Sequence, residues 1–176
     1  VAGNRPCLSE IFAGAALLLA WGLAHAQSYS TKPLRIIATF TPGSTVDIMA
    51  RVIATKLTNS LGWQVIVENR AGAGGAVGIE ATARAPKDGN TIMLSASGLA
   101  IIPSLNTKLS WDPIRDFAPI AQVATSPLII VLHPSVPAKS LQELISLAKV
   151  QPGKIRYGHV GIGTSQYMAG QLFAVA

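Results

Sequence analysis

Apolar and polar positions along this chain switch between two periods. Leu34-Arg35-Ile36-Ile37-Ala38-Thr39-Phe40 is a β-branched run bounded by Pro33 and Pro42, the pattern of a buried strand. After Thr41-Pro42-Gly43-Ser44-Thr45, apolar residues recur at Val46, Met49, Val52, Ile53, Leu57 and Leu61. Spacings of three and four put these on one helical face, with Ser44 or Thr45 as N-cap and Gly62 as the stop. The cycle then repeats: a strand over 64–68, a turn from Asn69 to Gly75, a helix over 76–85, a turn over 86–89 and a third strand over 91–95. A βαβαβ succession predicts a parallel sheet in an α/β fold.

Beyond it the pattern loosens. Residues 97–126 are Pro-rich and read as irregular, with Trp111-Asp112-Pro113 as a turn and Phe117 as a packing anchor. Leu128-Ile129-Ile130-Val131-Leu132 predicts a new strand, and Ser140 caps a helix running through Leu141, Leu144, Ile145 and Ala148. Pro152-Gly153 ends that helix, Ile155-Arg156-Tyr157 reads as a short strand, and Thr164 or Ser165 opens a last helix. The simplest division is a first lobe over 27–126 and the start of a second over 127–176.

Residues 11–24 form an uncharged apolar stretch, preceded by Arg5 and followed by the small-x-small pattern Ala24-His25-Ala26. It falls short of the ~20 apolar residues a bilayer span needs, so 1–26 reads as an export signal cleaved after Ala26. The expected location is periplasmic. Cys7, the one cysteine, lies ahead of the cleavage point. The mature chain then has no thiolate chemistry and no cysteine metal site, as suits an oxidising compartment without disulfides.

The formal net charge is +6 and the pI about 9.8. The cations are scattered, with no run of four and no interleaved aromatic pattern, which argues against nucleic acid. What remains of the charge is a weak pull on anions.

Ligands of open parallel sheets sit beyond the carboxyl ends of the strands, where helix N-termini present free N–H groups. Three loops occupy such positions: 41–47, 71–75 and 158–165. Each is followed by a helix and contains glycine, which lets backbone N–H groups converge on an oxygen anion. Ser44, Thr45, Thr164 and Ser165 add hydroxyl donors. Each loop also serves as an ordinary strand–helix turn, and it is the three together that point to an anion.

A dinucleotide site is the sharper alternative for the second loop. Gly72-x-Gly74-x-x-x-Gly78 misses the G-x-G-x-x-G spacing by one, follows the second strand rather than the first, and lacks a ribose-binding acid further on. Catalysis has little support. His133 reads as a surface or capping residue, His159 has no identifiable acidic partner or nucleophile, and Asp47 and Glu80 read as helix N-terminal charges. No spacing suggests a metal site, and no cofactor is expected.

Taken in order, several stretches resemble the extracytoplasmic solute receptors of tripartite tricarboxylate transporters, the Bug-type receptors. They are Lys32-Pro33-Leu34-Arg35-Ile36-Ile37, Pro42-Gly43-Ser44-Thr45-Val46-Asp47-Ile48-Met49-Ala50-Arg51 and Val67-Glu68-Asn69-Arg70-Ala71-Gly72-Ala73-Gly74-Gly75. Pro86-Lys87-Asp88-Gly89, Trp111-Asp112-Pro113-Ile114-Arg115-Asp116-Phe117, Pro134-Ser135-Val136-Pro137-Ala138-Lys139-Ser140 and Gly161-Ile162-Gly163-Thr164-Ser165 complete the series.

The resemblance implies a two-lobed, periplasmic-binding-protein-like fold of the type II, Venus-flytrap kind, and no enzyme activity. It implies a small organic carboxylate as ligand and membrane transporter subunits as partners. The contacts it implies are Phe40, Thr41, Gly43, Ser44, Thr45 and Asp47 in the first loop, Gly72, Ala73, Gly74 and Gly75 in the second, and Ser95 and Ser97 after the third strand. His159, Gly161, Gly163, Thr164 and Ser165 would come from the second lobe.

Three departures stand out: Ser44 replaces a usual second glycine, Tyr167 stands where a histidine is common, and such receptors run to about twice this length. The chain is therefore expected to be truncated, with its C-terminal part missing and apolar sheet edges uncovered. A carboxylate sensor without a transporter, and a nucleotide-dependent enzyme, stay open as alternatives.

Overall fold

The structure, a computed structural model, describes residues 32–175; the export signal over 1–26 and Cys7 lie outside the described residues. In chain order the elements are β1 (Leu34–Ala38), α1 (Thr45–Leu61), β2 (Val65–Asn69), a 3-10 turn (Ala73–Gly75), α2 (Ala76–Ala83), β3 (Thr91–Leu94), α3 (Gly98–Leu105), α4 (Leu141–Val150) and α5 (Ser165–Val175).

The three strands form a parallel sheet in the order β2-β1-β3, with Ile36 paired to Val67 on one side and Ile92 on the other. β1 is central, which explains its apolar run, broken only by the exposed Arg35. Leu34, Ile36, Ile37 and Ala38 are all buried because both faces of the strand are covered. The ladder continues past the strand ends, through Thr39 N–H to Leu94 O at 3.2 Å and Arg70 N–H to Ala38 O at 2.9 Å. Since the chain leaves β1 for one side and returns on the other, the connections diverge at the carboxyl end of β1. That is where an open α/β sheet makes its crevice.

Two apolar clusters sandwich the sheet. On one face Ile36 and Ala38 meet Ala50 and Ala54 of α1, with Val46, Ile53, Val65, Val67, Ile92 and Leu94 around them. On the other, Ile79 of α2 packs with Ile102 of α3 and with Trp111. Trp111 and Phe117 meet edge to face with centroids 6.0 Å apart, as expected of packing anchors.

α1 starts and stops where its sequence predicts. Ser44 Oγ accepts Asp47 N–H at 3.2 Å, and Gly62, at φ 67°, returns its N–H to Thr58 O. Its buried stripe differs from the expected one. Asp47, Ala50 and Ala54 face inward, while Val52 and Leu61 are about half exposed. Small alanines let the helix backbone approach the sheet closely, and that approach sets the rotation more strongly than side-chain size does.

Three further expectations are corrected. The stretch after Ser97 is not wholly irregular: α3 forms there with Pro103 inside it. Burial of Ile102 against Ile79 and Trp111 outweighs the N–H that Pro103 cannot supply. Residues 128–132 and 155–157 are not strands. Ile129 and Val131 are about four-fifths exposed, and no described strand pairs with either segment. β-branched residues favour a strand only where a neighbouring edge and a surface to pack on exist. α2 also ends two residues early, at Ala83, as Ala85 N–H turns back to Thr82 O ahead of Pro86.

Candidate ligand-binding site

The first loop is held from below by a buried acid. Asp47, 3% exposed, accepts Gly43 N–H at 2.8 Å, Arg51 Nε–H at 3.0 Å and Asn69 Nδ2–H at 2.9 Å. The Asn69 amide also donates to Phe40 O at 3.0 Å, and its Oδ1 accepts from Arg51 Nη2 at 3.3 Å. One cluster thus joins the ends of β1 and β2 to the first turn of α1. The Arg51 hydrogen bond is the largest cause holding the Asp47 carboxyl down to about 2, with the Gly43 N–H and the Asn69 amide adding to it. An ionised carboxylate only accepts, so Asp47 serves the loop by holding it and has no donor to offer an anion.

Above this cluster the loop turns outward. Thr41, Gly43 and Thr45 are exposed and Ser44 is half-buried, its Oγ lone pair already engaged by Asp47 N–H. Gly43 has φ 82° with open space where a Cβ would stand, so its backbone conformation and not crowding calls for glycine.

The second loop is a run of four positive φ angles: Gly72 at 139°, Ala73 at 47°, Gly74 at 66° and Gly75 at 103°. Ala73 is the one non-glycine with positive φ among the described residues, a strained placement for an L side chain. Gly75 lies against Phe40 and Thr39, each 3.5 Å from where its Cβ would be. Thr39, fully buried, donates its hydroxyl to Ser95 Oγ at 3.3 Å, which ties the end of β3 to the end of β1.

The third loop lies directly on the second. A Cβ on Gly161 would come within 3.0 Å of Gly74 N, and one on Gly74 would strike Ile162 O. A Cβ on Gly98 would sit 2.9 Å from Gly74 O, and one on Gly163 would press 2.5 Å from Ile102. Backbone meets backbone around Gly74, and Gly163 sits against the Ile102 side chain. Thr164, buried, donates its hydroxyl to Gly161 O at 2.7 Å and accepts Tyr167 N–H at 3.3 Å, capping α5. Ser165 N–H goes to Ser97 Oγ at 3.1 Å.

His159 Nδ1 accepts Gly161 N–H at 3.1 Å, so its neutral ring carries the proton on Nε2. The ring meets Tyr167 edge to face at 5.0 Å and Tyr157 at 5.7 Å.

Of the residues expected to bind, the structure therefore brings together Phe40, Gly74, Gly75, Ser97, Gly161, Gly163, Thr164 and Ser165, with Ser95 joined through Thr39. Thr41, Ser44 and Thr45 stand at the rim of the first loop. Gly72 and Ala73 are exposed at the outer side of the second. Sequence reasoning passed over Thr39, Asn69, Arg51 and Gly98. The i,i+4 spacing of Asp47 and Arg51 signals their pairing, whereas the contacts of Asn69 and Gly98 arise from distant segments and leave no local signal.

A shallow recess of about 430 Å³ lies elsewhere, lined by Leu132, His133, Pro134, Val136, Pro137, Ala138, Lys139 and Glu143. Glu143 already turns its carboxylate on Lys139 N–H at 2.6 Å, an acid where an anion would have to sit. The strand-end loops, with their backbone and hydroxyl donors, are the better anion cradle. Among the described residues, no three His, Cys, Asp or Glu side chains come together as a metal set would.

Comparison with known proteins bears on this arrangement. A family model described as "Tripartite tricarboxylate transporter family receptor" matches residues 49–176. Protein BugT of Bordetella pertussis is 38% identical over 150 residues, 84% of this chain and 46% of that protein. A solved "periplasmic transporter" superposes with TM-score 0.77 at 35% identity, covering 84% of this chain and 50% of the other. The R. palustris protein Rpa4515, solved with adipate, superposes with TM-score 0.73 at 29% identity, covering 82% of this chain and 49% of the other. The chain spans about half the length of the curated relatives it matches. Its fold is that of one half of a periplasmic binding protein.

Proposed function

The chain belongs to the tripartite tricarboxylate transporter receptor family, and from that membership we propose that the protein captures a small organic carboxylate outside the cytoplasm and delivers it to a membrane transporter. The observation that carries the reading is the convergence of glycine-rich loops at the carboxyl end of a parallel sheet. Gly74 and Gly161 bring backbone close to backbone, Gly163 packs on the Ile102 side chain, and Ser97, Thr164 and Ser165 stand beside them. Backbone N–H groups, hydroxyls and the start of α5 suit a carboxylate, and the scattered basic charge favours anions over cations.

The adipate held by the R. palustris neighbour makes linear dicarboxylates the first class to try. Export to the periplasm and the hand-over to transporter subunits belong to the same proposal. So does the division into a first lobe over 27–126 and a second beginning at 127. No catalytic step is assigned, because the family is one of receptors.

The test is a calorimetric titration of the purified chain against mono-, di- and tricarboxylates, with matched diamines as controls. Binding of one acid class without turnover is expected. At a hundredfold excess over Kd the fold should gain about 2.7 kcal/mol and melt later. Equal responses to acids and diamines, or none to either, would overturn the assignment.

A further inference from the structure

We infer that Ser97 is a positioning residue that fastens the start of α5 to the strand-end crevice by capping it from a distant segment. Ser97 stands at the N-cap of its own helix, α3, yet makes no side-chain cap bond there. Its hydroxyl instead accepts the N–H of Ser165, the first residue of α5, at 3.1 Å across 68 residues of sequence. The N-cap of α5, Thr164, serves the third residue of the helix, Tyr167. The two hydroxyls thus each take one of the orphan donors of that helix end, while Thr164 N–H turns back to Gly161 O at 3.4 Å.

The placement of α5 depends on this contact more than is usual. No residue of α5 is buried, so the helix has no apolar face locked into a core. What joins it to the sheet is its N-terminal end and the loop before it. There Gly163 lies against the Ile102 side chain and Gly98 against Gly74 O at separations that exclude a Cβ, and Gly161 lies against Gly74 N at a separation that barely admits one. These glycines allow the approach but supply no direction, since the dispersion contacts they make are weak and non-directional. The Ser97–Ser165 hydrogen bond supplies the direction.

A serine oxygen has a second lone pair and a proton of its own. With Ser165 N–H donating to it, the Ser97 hydroxyl is polarised by the positive end of α5 and left free to donate onward. Under the carboxylate reading above, on which this step rests, Ser97 passes the field of that helix end to the ligand.

The experiment compares the wild-type chain with Ser97→Ala and Ser97→Thr. Hydrogen exchange at the Ser165 amide is read first, without ligand, beside the amides of β1 as an internal standard. Ser97→Ala should speed exchange at Ser165 by about fivefold, the loss of one ordinary hydrogen bond, with β1 unchanged, and Ser97→Thr should restore it. Adipate affinity, read second, should fall by a similar factor in Ser97→Ala and recover in Ser97→Thr.

Unchanged exchange at Ser165 in Ser97→Ala overturns the inference. If β1 exchanges faster as well, the alanine variant has loosened the fold, and Ser97→Thr decides: restored protection supports the tie and unrestored protection refutes it. A wild-type chain that binds no carboxylate, yet shows the exchange pattern, sinks the functional reading and leaves the positioning role standing.

Discussion

Asn69 donates its side-chain amide to Asp47 at 2.9 Å, so the last residue of β2 holds the acid that holds the loop after β1. The same amide grips Phe40 O at 3.0 Å. Binding loops have to keep their donors aimed without a ligand, and this one is braced from a strand.

Replacing Asn69 by leucine removes both donations and takes from the Phe40 carbonyl its Asn69 donor, while Asp47 Oδ1 keeps Arg51. The expected loss is about 1–3 kcal/mol of stability, the cost of leaving a part-buried acceptor unsatisfied. Chemical denaturation measures it. A midpoint equal to wild type would mean that Asn69 does not brace the loop.

Acid should undo the same cluster. The folded state holds Asp47 at about 2, below its ordinary 3.8, and also lowers Asp88, Asp112 and Asp116. For Asp88 the chief cause is Asn90 N–H, for Asp112 the N–H groups of Arg115 and Ile114, and for Asp116 the Arg115 guanidinium. A carboxyl depressed on folding stabilises fully above its unfolded value, and that stability drains as pH falls through the folded value. Melting temperature should therefore hold above about pH 5 and fall steadily from pH 4 toward pH 2. Asp47→Asn should flatten the lower part of that fall.

Two glycines should respond to alanine for different reasons. At Gly43 there is open space but φ is 82°, so Gly43→Ala should cost about 1–2 kcal/mol from backbone strain alone. Gly78 sits in α2, where a Cβ would lie 2.8 Å from Arg70 O and 2.9 Å from Thr39 Cα. Backbone atoms cannot swing aside, so Gly78→Ala should cost about 1–3 kcal/mol by overpacking and displace the end of β1. In a spectrum, Gly43→Ala should move signals near 43 only, whereas Gly78→Ala should move those of Thr39 and Arg70 as well.

Ile79 and Ile129 give a contrast in burial. Ile79 is wholly buried between α3 and the sheet, and Ile79→Ala should cost about 2–5 kcal/mol. Ile129 is 79% exposed, so Ile129→Ser should lie within about 0.5 kcal/mol of wild type while raising solubility. Strong destabilisation by Ile129→Ser would place that residue in a packed strand, contrary to the structure.

By itself the sequence determined whatever depends on near neighbours. The runs at Leu34, Val65 and Thr91 specify three strands, the Ser44 and Gly62 caps bound α1, and Ser140 starts α4. Glycine at 43, 74, 161 and 163 marks loops that need unusual backbone, because positive φ is a property of the residue itself.

Tertiary structure alone decided which face of α1 is buried, that α3 forms despite Pro103, and that 128–132 stays unpaired. It also decided that Asn69 braces Phe40 and that Ser97 caps a helix 68 residues away. Each of these turns on which surface or partner arrives from elsewhere in the chain, and burial or a long-range hydrogen bond then outweighs the fraction of a kcal/mol that local propensity contributes.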